Sequence, residues 1–197
     1  MLSERKKLAR VKAHMIPLNK ELMARFTRSL PFLLTDAQKK AAWKILKDLE
    51  QPRPMNRLLQ GDVGSGKTVV AAMAALEAAK AGLQTVFMAP TEILSRQHFA
   101  TVGSLLSTFK LRIGLLTGKT DQYMSPKLPK EPIEISRTRL MQKILQGDID
   151  VLIGTQALIQ DKVKFGKLAL VVLDEQHRFG VNQRAHLCRQ GGYGGQA

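Results

Sequence analysis

The stretch that decides the fold reads Gly61-Asp62-Val63-Gly64-Ser65-Gly66-Lys67-Thr68. Its pattern is G-x-x-x-x-G-K-T, and each fixed position has a physical purpose. Glycines let the backbone curl so that successive N–H groups point at phosphate oxygens, and the helix that follows adds the positive end of its dipole. Lys67 is spaced to reach the β- and γ-phosphates, and the Thr68 hydroxyl to ligate Mg²⁺. The sequence therefore predicts a P-loop for a nucleoside triphosphate with Mg²⁺.

Around this loop the chain alternates between strand patterns and helix patterns. Residues 66–81 are apolar nearly all round, which is typical of a buried helix. Residues 85–89 are a continuous apolar run, which suits a strand covered on both faces. The same patterns predict strands at 57–60, 111–116, 150–154 and 168–173, helices at 35–49, 91–107 and 137–146, and an exposed loop at 119–134. This alternation predicts an α/β fold with a doubly wound parallel sheet.

Composition divides the chain into three predicted parts. Residues 1–30 form a basic helical arm, with helical periodicity around Leu18, Leu22 and Phe26. This arm is either a helix packed on its neighbour or a linker near nucleic acid, and the sequence favours neither. Residues 31–187 carry the alternating pattern and form the ATP-binding lobe. Residues 188–197 are Gly-rich without an apolar pattern, so we expect a disordered tail.

The charge of the chain is strongly basic. Its 197 residues include 31 Lys and Arg against 16 Asp and Glu, a net charge of +15, which favours nucleic acid as a partner. A merely solubilising charge excess is the alternative. The single cysteine, Cys188, excludes an internal disulfide and a Cys-rich metal site. No apolar run approaches the ~18 residues of a membrane span, and no signal peptide pattern is present, so we expect a cytoplasmic location.

A second motif follows the apolar run at residues 168–173, where Asp174 and Glu175 end the predicted strand. Open α/β sheets bind their ligands at the carboxyl ends of the strands. Asp174 is predicted to hold Mg²⁺, and Glu175 to orient and deprotonate the attacking water. A solvated strand end with no such role is the alternative, and it loses weight because a P-loop lies upstream in the same chain.

The two residues after this pair complete a D-E-Q-H sequence, which resembles the D-E-x-H box of superfamily 2 helicases and translocases. Four more segments resemble the motifs of that superfamily in the same order along the chain: Leu34-Thr35-Asp36-Ala37-Gln38, Ala89-Pro90-Thr91-Glu92-Ile93-Leu94, Thr117-Gly118, and Gly154-Thr155-Gln156-Ala157-Leu158. Each segment alone is consistent with a simple helix cap or turn. Their joint order makes the resemblance specific.

The resemblance implies roles for these residues. Gln38 would contact the adenine of ATP, and Gln176 and His177 would link the γ-phosphate to the DNA-contacting segments. The remaining segments would contact the DNA backbone rather than its bases through Pro90, Thr91, Thr117, Gly118, Gly154 and Thr155.

Within superfamily 2 the sequence is most similar to the RecG family of ATP-dependent DNA helicases, especially in residues 54–68 and 174–181. Gln156 departs from the family, which often has His there. The resemblance implies one motor lobe, with a wedge domain before it and a second RecA-like lobe with an arginine finger after it. We therefore expect this chain alone to hydrolyse ATP very slowly. A catalytically inert nucleotide- and DNA-binding module and a lobe like that of the transcription-repair coupling factor remain alternatives.

Overall fold

The computed structural model describes residues 13–62, 64–160 and 163–175, and one β-sheet forms its centre. The strands are β1 (Gln84–Met88), β2 (Ile113–Leu116), β3 (Asp121–Ser125), β4 (Leu128–Glu134), β5 (Val151–Gly154) and β6 (Leu168–Leu173). They lie in the order β4-β3-β2-β5-β1-β6. Neighbouring strands in the series β2, β5, β1 and β6 are parallel, whereas β3 and β4 add an antiparallel hairpin next to β2.

Helices cover both faces of this sheet. They are α1 (Lys20–Ser29), α2 (Asp36–Leu49), α3 (Lys67–Lys80), α4 (Glu92–Leu106), α5 (Arg137–Gln146) and α6 (Ala157–Gln160). Side chains of α1 to α4 share one apolar core with Phe87, Leu115 and Ile153 of the strands. Side chains of α5 and α6 form a second core with strand residues of the opposite face, such as Val86 and Leu152. This alternation along each strand confirms the predicted α/β fold with a doubly wound sheet.

Two helix starts were predicted from local signals and are confirmed. Thr35 caps α2 in a full capping box with Gln38, and Thr91 caps α4 by accepting a hydrogen bond from the Leu94 N–H. Each cap joins residues only three positions apart, so it can be predicted from local sequence alone. Among the described residues no helix combines the length and the apolar character needed to cross a bilayer.

The strand predicted at residues 57–60 is wrong, because the structure has no strand there. Arg57, Leu58 and Gln60 are exposed and only Leu59 is half-buried. A short apolar run becomes a strand only where a neighbouring strand pairs with it, and within the described residues no such pairing forms. Residues 57–60 therefore lead into the P-loop from outside the sheet.

The exposed loop predicted at residues 119–134 is also wrong, because β3 and β4 lie there and extend the sheet. The prolines of this stretch lack the N–H that a central strand needs, and they make its sequence look like a loop. β4 is an edge strand, and an edge strand tolerates proline where its N–H side faces solvent. Pro129 and Pro132 lie within β4, so this edge offers fewer donors to an adjacent chain.

The described part of the basic arm packs against the rest of the molecule. Leu22, Met23 and Phe26 of α1 are buried, and the Phe26 ring lies 5.8 Å from that of Phe109, centroid to centroid. The packed alternative is therefore what the structure has for residues 13–29, and no break in packing marks the boundary predicted at residue 30. That boundary stays a proposal, and the tail at residues 188–197 lies outside the described residues.

Candidate nucleotide and nucleic-acid site

The candidate site lies along one edge of the sheet, where four parallel strands end side by side. The register pairs Met88 with both Leu173 and Gly154, and pairs Gly154 with Leu116. The residues that follow β1, β6, β5 and β2 therefore leave the sheet at the same edge. These are the segments at Pro90-Thr91, Asp174-Glu175, Thr155 and Thr117-Gly118, all of which the sequence analysis singled out.

The P-loop reaches the same edge because of the direction of α3. After α3 ends, a turn at Gly82 leads directly into β1, and α3 packs against β1 and β6. A helix joined to a strand in this way runs opposite to it. The first turn of α3, with Lys67 and Thr68, therefore lies near the carboxyl ends of the strands.

The described part of the loop has a backbone conformation that favours glycine. Gly64 and Gly66 both have φ of +80°, a left-handed conformation that favours glycine. Gly66 is the N-cap residue of α3, and no side chain caps the helix there. The first N–H groups of α3 and its dipole thus point toward an exposed loop, which fits an anionic ligand. Val63 lies outside the described residues.

Lys67 lies across this loop. Its ammonium donates hydrogen bonds to the carbonyl oxygens of Gly61 at 2.7 Å and Asp62 at 2.8 Å. The positive charge is therefore held on the loop itself, close to where the helix N–H groups converge. Thr68 is the next residue, in the first turn of α3, and it is half-buried. An ammonium and a hydroxyl on one helix turn match the needs of a phosphate and its Mg²⁺.

Gln38 is bound to the loop from α2. Its amide nitrogen donates to the Ser65 carbonyl oxygen at 2.8 Å, and its amide oxygen accepts the Thr35 N–H at 2.9 Å. A Cβ added to Gly66 would come within 2.3 Å of the Gln38 amide nitrogen, so a side chain there would push Gln38 away. Gln38 thus joins α2 to the P-loop, and its contact with adenine stays a prediction.

The two carboxylates end β6. The Asp174 N–H donates to the Met88 carbonyl oxygen at 2.9 Å, and its carboxylate lies 2.9 Å from Nε2 of His98 on α4. Glu175 is exposed and has a φ of +52°, which is uncommon outside glycine. Carboxylate and hydroxyl oxygens are ligands that Mg²⁺ prefers, so Asp174 and Thr68 fit that ion chemically. Gln176 and His177 lie outside the described residues.

Two of the predicted DNA-contacting segments differ in whether their threonine is exposed to solvent. Thr91 is exposed and Pro90 half-buried, directly before the first turn of α4. Thr117 is buried, and its hydroxyl donates to the Thr120 carbonyl oxygen at 2.8 Å while accepting the Thr120 N–H at 3.0 Å. The Thr117 hydroxyl therefore shapes the turn, and Gly118 is the exposed member of its pair.

The segment after β5 is more enclosed. Gly154 is buried, its carbonyl accepts the Ala89 N–H at 2.9 Å, and an added Cβ would lie 2.2 Å from the Leu116 carbonyl oxygen. Glycine is required here because β2 and β5 approach each other closely. Thr155 is half-buried, and its hydroxyl accepts the Ala157 N–H at 3.4 Å. Gly154 thus places Thr155, and Thr155 is the residue of this pair nearer to solvent.

Three residues that the sequence analysis did not single out connect these segments. Arg96 on α4 bonds to Glu92 and to Thr120 in the turn after β2, and Arg137 bonds to Asp121 and to the Thr117 carbonyl oxygen. The third is His98. Only the Glu92–Arg96 pair has a local signal, the four-residue spacing of oppositely charged side chains on a helix. The other contacts join residues far apart in sequence.

The similarity of this chain to known proteins covers the residues described above. The sequence model of the DEAD/DEAH box helicases matches residues 35–191, from the capping box of α2 past the D-E-Q-H sequence. The chain belongs to the DEAD/DEAH box helicase family. Within that family its resemblance to RecG is confirmed by curated relatives. It is 48% identical to the ATP-dependent DNA helicase RecG of Thermotoga maritima over 171 residues, which cover 87% of this chain and 20% of that protein.

Other comparisons agree with this one. RecG of Bacillus subtilis is 48% identical over 173 residues, covering 88% of this chain and 24% of that protein. A solved structure of RecG bound to a three-way DNA junction superposes with a TM-score of 0.77 at 44% identity, over 90% of this chain and 23% of that one. A hypothetical ATP-dependent RNA helicase of Sulfolobus tokodaii shares the fold alone, at 17% identity and a TM-score of 0.61. The chain therefore spans only about a fifth to a quarter of its RecG relatives.

Proposed function

We propose that this chain is the first motor lobe of an ATP-dependent DNA helicase or translocase. One observation carries the proposal: the P-loop and the Asp174-Glu175 pair lie at the same sheet edge as the three predicted DNA-contacting segments. A site with this arrangement can bind ATP and a nucleic-acid backbone side by side. In this proposal residues 31–187 form the lobe, and residues 1–30 form a helical arm.

The nucleotide half of the site follows from the donors and acceptors of this chain. The N–H groups of the loop and of the first turn of α3 would bind the phosphates, with Lys67 exchanging its loop carbonyls for phosphate oxygens. Thr68 and Asp174 would hold Mg²⁺, which when bound neutralises charge that develops on the phosphates. Glu175 would orient and deprotonate water, Gln38 would contact the adenine, and Gln176 and His177 would link the γ-phosphate to the DNA side.

The nucleic-acid half offers hydroxyl and backbone groups rather than base-reading side chains. Thr91 and Gly118 are exposed and Thr155 is half-buried, and contacts to phosphates through such groups fix position without reading sequence. The relatives named RecG, one of them bound to a three-way DNA junction, support branched or duplex DNA as the partner. We propose that the larger protein remodels such DNA by fork regression and branch migration in repair and recombination, in the bacterial cytoplasm at the nucleoid.

The nucleotide site is tested by changing Lys67. Lys67→Ala removes a charge-assisted donor, so we expect MgATP to bind at least about tenfold more weakly by calorimetry. Lys44→Ala is the matched control, because Lys44 is an exposed lysine on α2. An unchanged dissociation constant in Lys67→Ala would refute the assignment of this site, and so would an equal loss in Lys44→Ala.

A further inference from the structure

His98 contacts a residue of this site, although it belongs to none of the sequence motifs and has no role in the proposed mechanism. Its Nε2 lies 2.9 Å from Oδ2 of Asp174, across 76 positions of sequence, and the two side chains are 17% and 31% exposed. When the carboxylate is ionised it can only accept hydrogen bonds, and Nε2 is then the donor in this contact. Asp174 is the carboxylate assigned to Mg²⁺, so the contact concerns the metal-binding side chain itself.

The bond fixes the side chain of Asp174 rather than its backbone. The end of β6 is already secured by the hydrogen bond from the Asp174 N–H to the Met88 carbonyl oxygen. A bond that only held α4 against the sheet would therefore add little stability at this point. What the imidazole adds is the orientation of the carboxylate, because one oxygen is held and the rotation of the group is restricted. Outer hydrogen-bond partners of this kind orient the ligands of metal sites and tune their affinity.

The position of His98 in the fold also keeps the contact rigid. His98 lies in α4, between Ser95 and Phe99, which are buried in the packing of that helix. The helix is capped by Thr91, and Glu92 in its first turn forms an ion pair with Arg96 one turn later. The imidazole is therefore presented by a well-anchored element, as a positioning residue requires.

We propose that His98 is a positioning residue that holds Asp174 in the orientation needed to bind the magnesium of MgATP. This inference rests on the proposed function, because it assigns His98 a task only if Asp174 serves the metal. The chemistry is one hydrogen bond, donated by the imidazole N–H to Oδ2 of the Asp174 carboxylate. No bond is made or broken in the reaction by His98.

The test separates the metal-dependent part of nucleotide affinity from the rest. The slowly hydrolysed analogue ATPγS is titrated into the 197-residue chain by calorimetry, once with Mg²⁺ and once with EDTA. The dissociation constant in EDTA divided by the dissociation constant in Mg²⁺ measures how much the metal strengthens nucleotide binding. In His98→Leu we expect this ratio to fall by about tenfold or more, with the EDTA value unchanged. His98→Gln keeps an N–H donor of similar reach, so we expect its ratio to stay close to that of the wild-type chain.

Gln97→Leu is the matched control, since Gln97 is the exposed neighbour of His98 on α4, and it should match the wild-type chain. Thermal unfolding of each variant checks the fold. If His98→Leu does not fold, His98→Asn replaces it, because that amide is too short to reach Asp174. A wild-type ratio in the donor-free variant overturns the inference, and so does an equal weakening in both titrations, which would indicate a packing role. A wild-type chain that binds no ATPγS in either buffer overturns the proposed function itself.

Discussion

Glu77 on α3 is a buried carboxyl group that holds the arm against the lobe. Its side chain is 3% exposed, and Oε1 accepts the N–H of Asn19 at 3.0 Å, while Glu50 accepts the N–H of Leu18 at 3.2 Å. Burial raises the pKa of Glu77 to about 7; the Asn19 N–H lowers it and the nearby charge of Glu50 raises it. A buried acid with one donor thus joins α3 to the segment that precedes α1.

This pKa predicts how stability changes with pH. Because the folded value lies above the ordinary 4.5, the folded chain binds this proton more tightly than the unfolded chain does. The stabilisation is complete below pH about 4.5 and is lost as the pH rises through about 7, for a total of up to about 3 kcal/mol. Glu77→Gln keeps the acceptor for Asn19 and cannot ionise. We expect it to be more stable than wild type at pH 8, by about 1–3 kcal/mol, with a much smaller difference at pH 5.

Urea denaturation at the two pH values measures this difference. Glu134→Gln is the control, because Glu134 is an exposed acid on β4 and its neutralisation should leave the pH dependence of the wild type in place. If the Glu77→Gln variant and the wild type lose stability in parallel between pH 5 and pH 8, Glu77 is not the titrating group.

At this same scale, some features of the candidate site follow from local sequence, whereas others depend on the fold. The turn at Gly64 and Gly66 and the helix that starts at Lys67 follow from local sequence, because glycine favours the left-handed backbone found there. The phosphate and Mg²⁺ roles of Lys67 and Thr68 stay predictions. Gln38 was assigned to adenine by resemblance, but its bond to Ser65 depends on how α2 packs beside the loop. The His98–Asp174 contact crosses two elements, and only the fold brings these residues together.

Among the elements, β1 depends on Gln84, which is buried where the strand begins. Its amide nitrogen donates to the carbonyl oxygens of Ile144 and Ile149, both at 2.9 Å, and its amide oxygen accepts the Lys167 N–H at 2.9 Å. One side chain thus satisfies the end of α5 and the residues that lead into β5 and β6. Gln84→Leu keeps the volume but leaves these backbone groups unpaired, so we expect it to lower the free energy of unfolding by about 2–4 kcal/mol.

Urea denaturation checks this expectation, with Gln51→Leu as control, since Gln51 is exposed and its substitution should change stability by less than about 0.5 kcal/mol. A loss in Gln84→Leu no greater than in the control would show that the three bonds contribute nothing net.

Element prediction succeeded where the signals are local and failed where a partner strand decides. The capped helices α2 and α4 and the apolar strand β6 were predicted within one or two residues. Residues 57–60 look like a strand but have no pairing within the described residues, whereas residues 121–134 contain prolines and still pair at the sheet edge. Strand formation is a property of two segments, so a pattern in one of them is insufficient.

The whole molecule carries a net charge of +15, and the groups at its candidate site suit phosphates rather than bases. Each phosphate that the protein neutralises releases counterions, so binding to DNA weakens as salt rises. If about three phosphates are contacted, the logarithm of the binding constant should fall with the logarithm of salt concentration with a slope of about −3 for duplex DNA. Fluorescence anisotropy with two duplexes of different sequence measures both this slope and the expected absence of sequence preference.

Lys119 allows this expectation to be tested at the proposed interface. It is exposed and follows Gly118 in the turn after β2, so Lys119→Ala should weaken DNA binding and reduce the size of the slope by about 1. Lys44→Ala removes the same charge from α2 and should leave the slope nearly unchanged if contact is confined to the carboxyl edge of the sheet. Equal effects of the two substitutions would mean that DNA binds through diffuse charge, and the segments at Thr91, Gly118 and Thr155 would lose their proposed role.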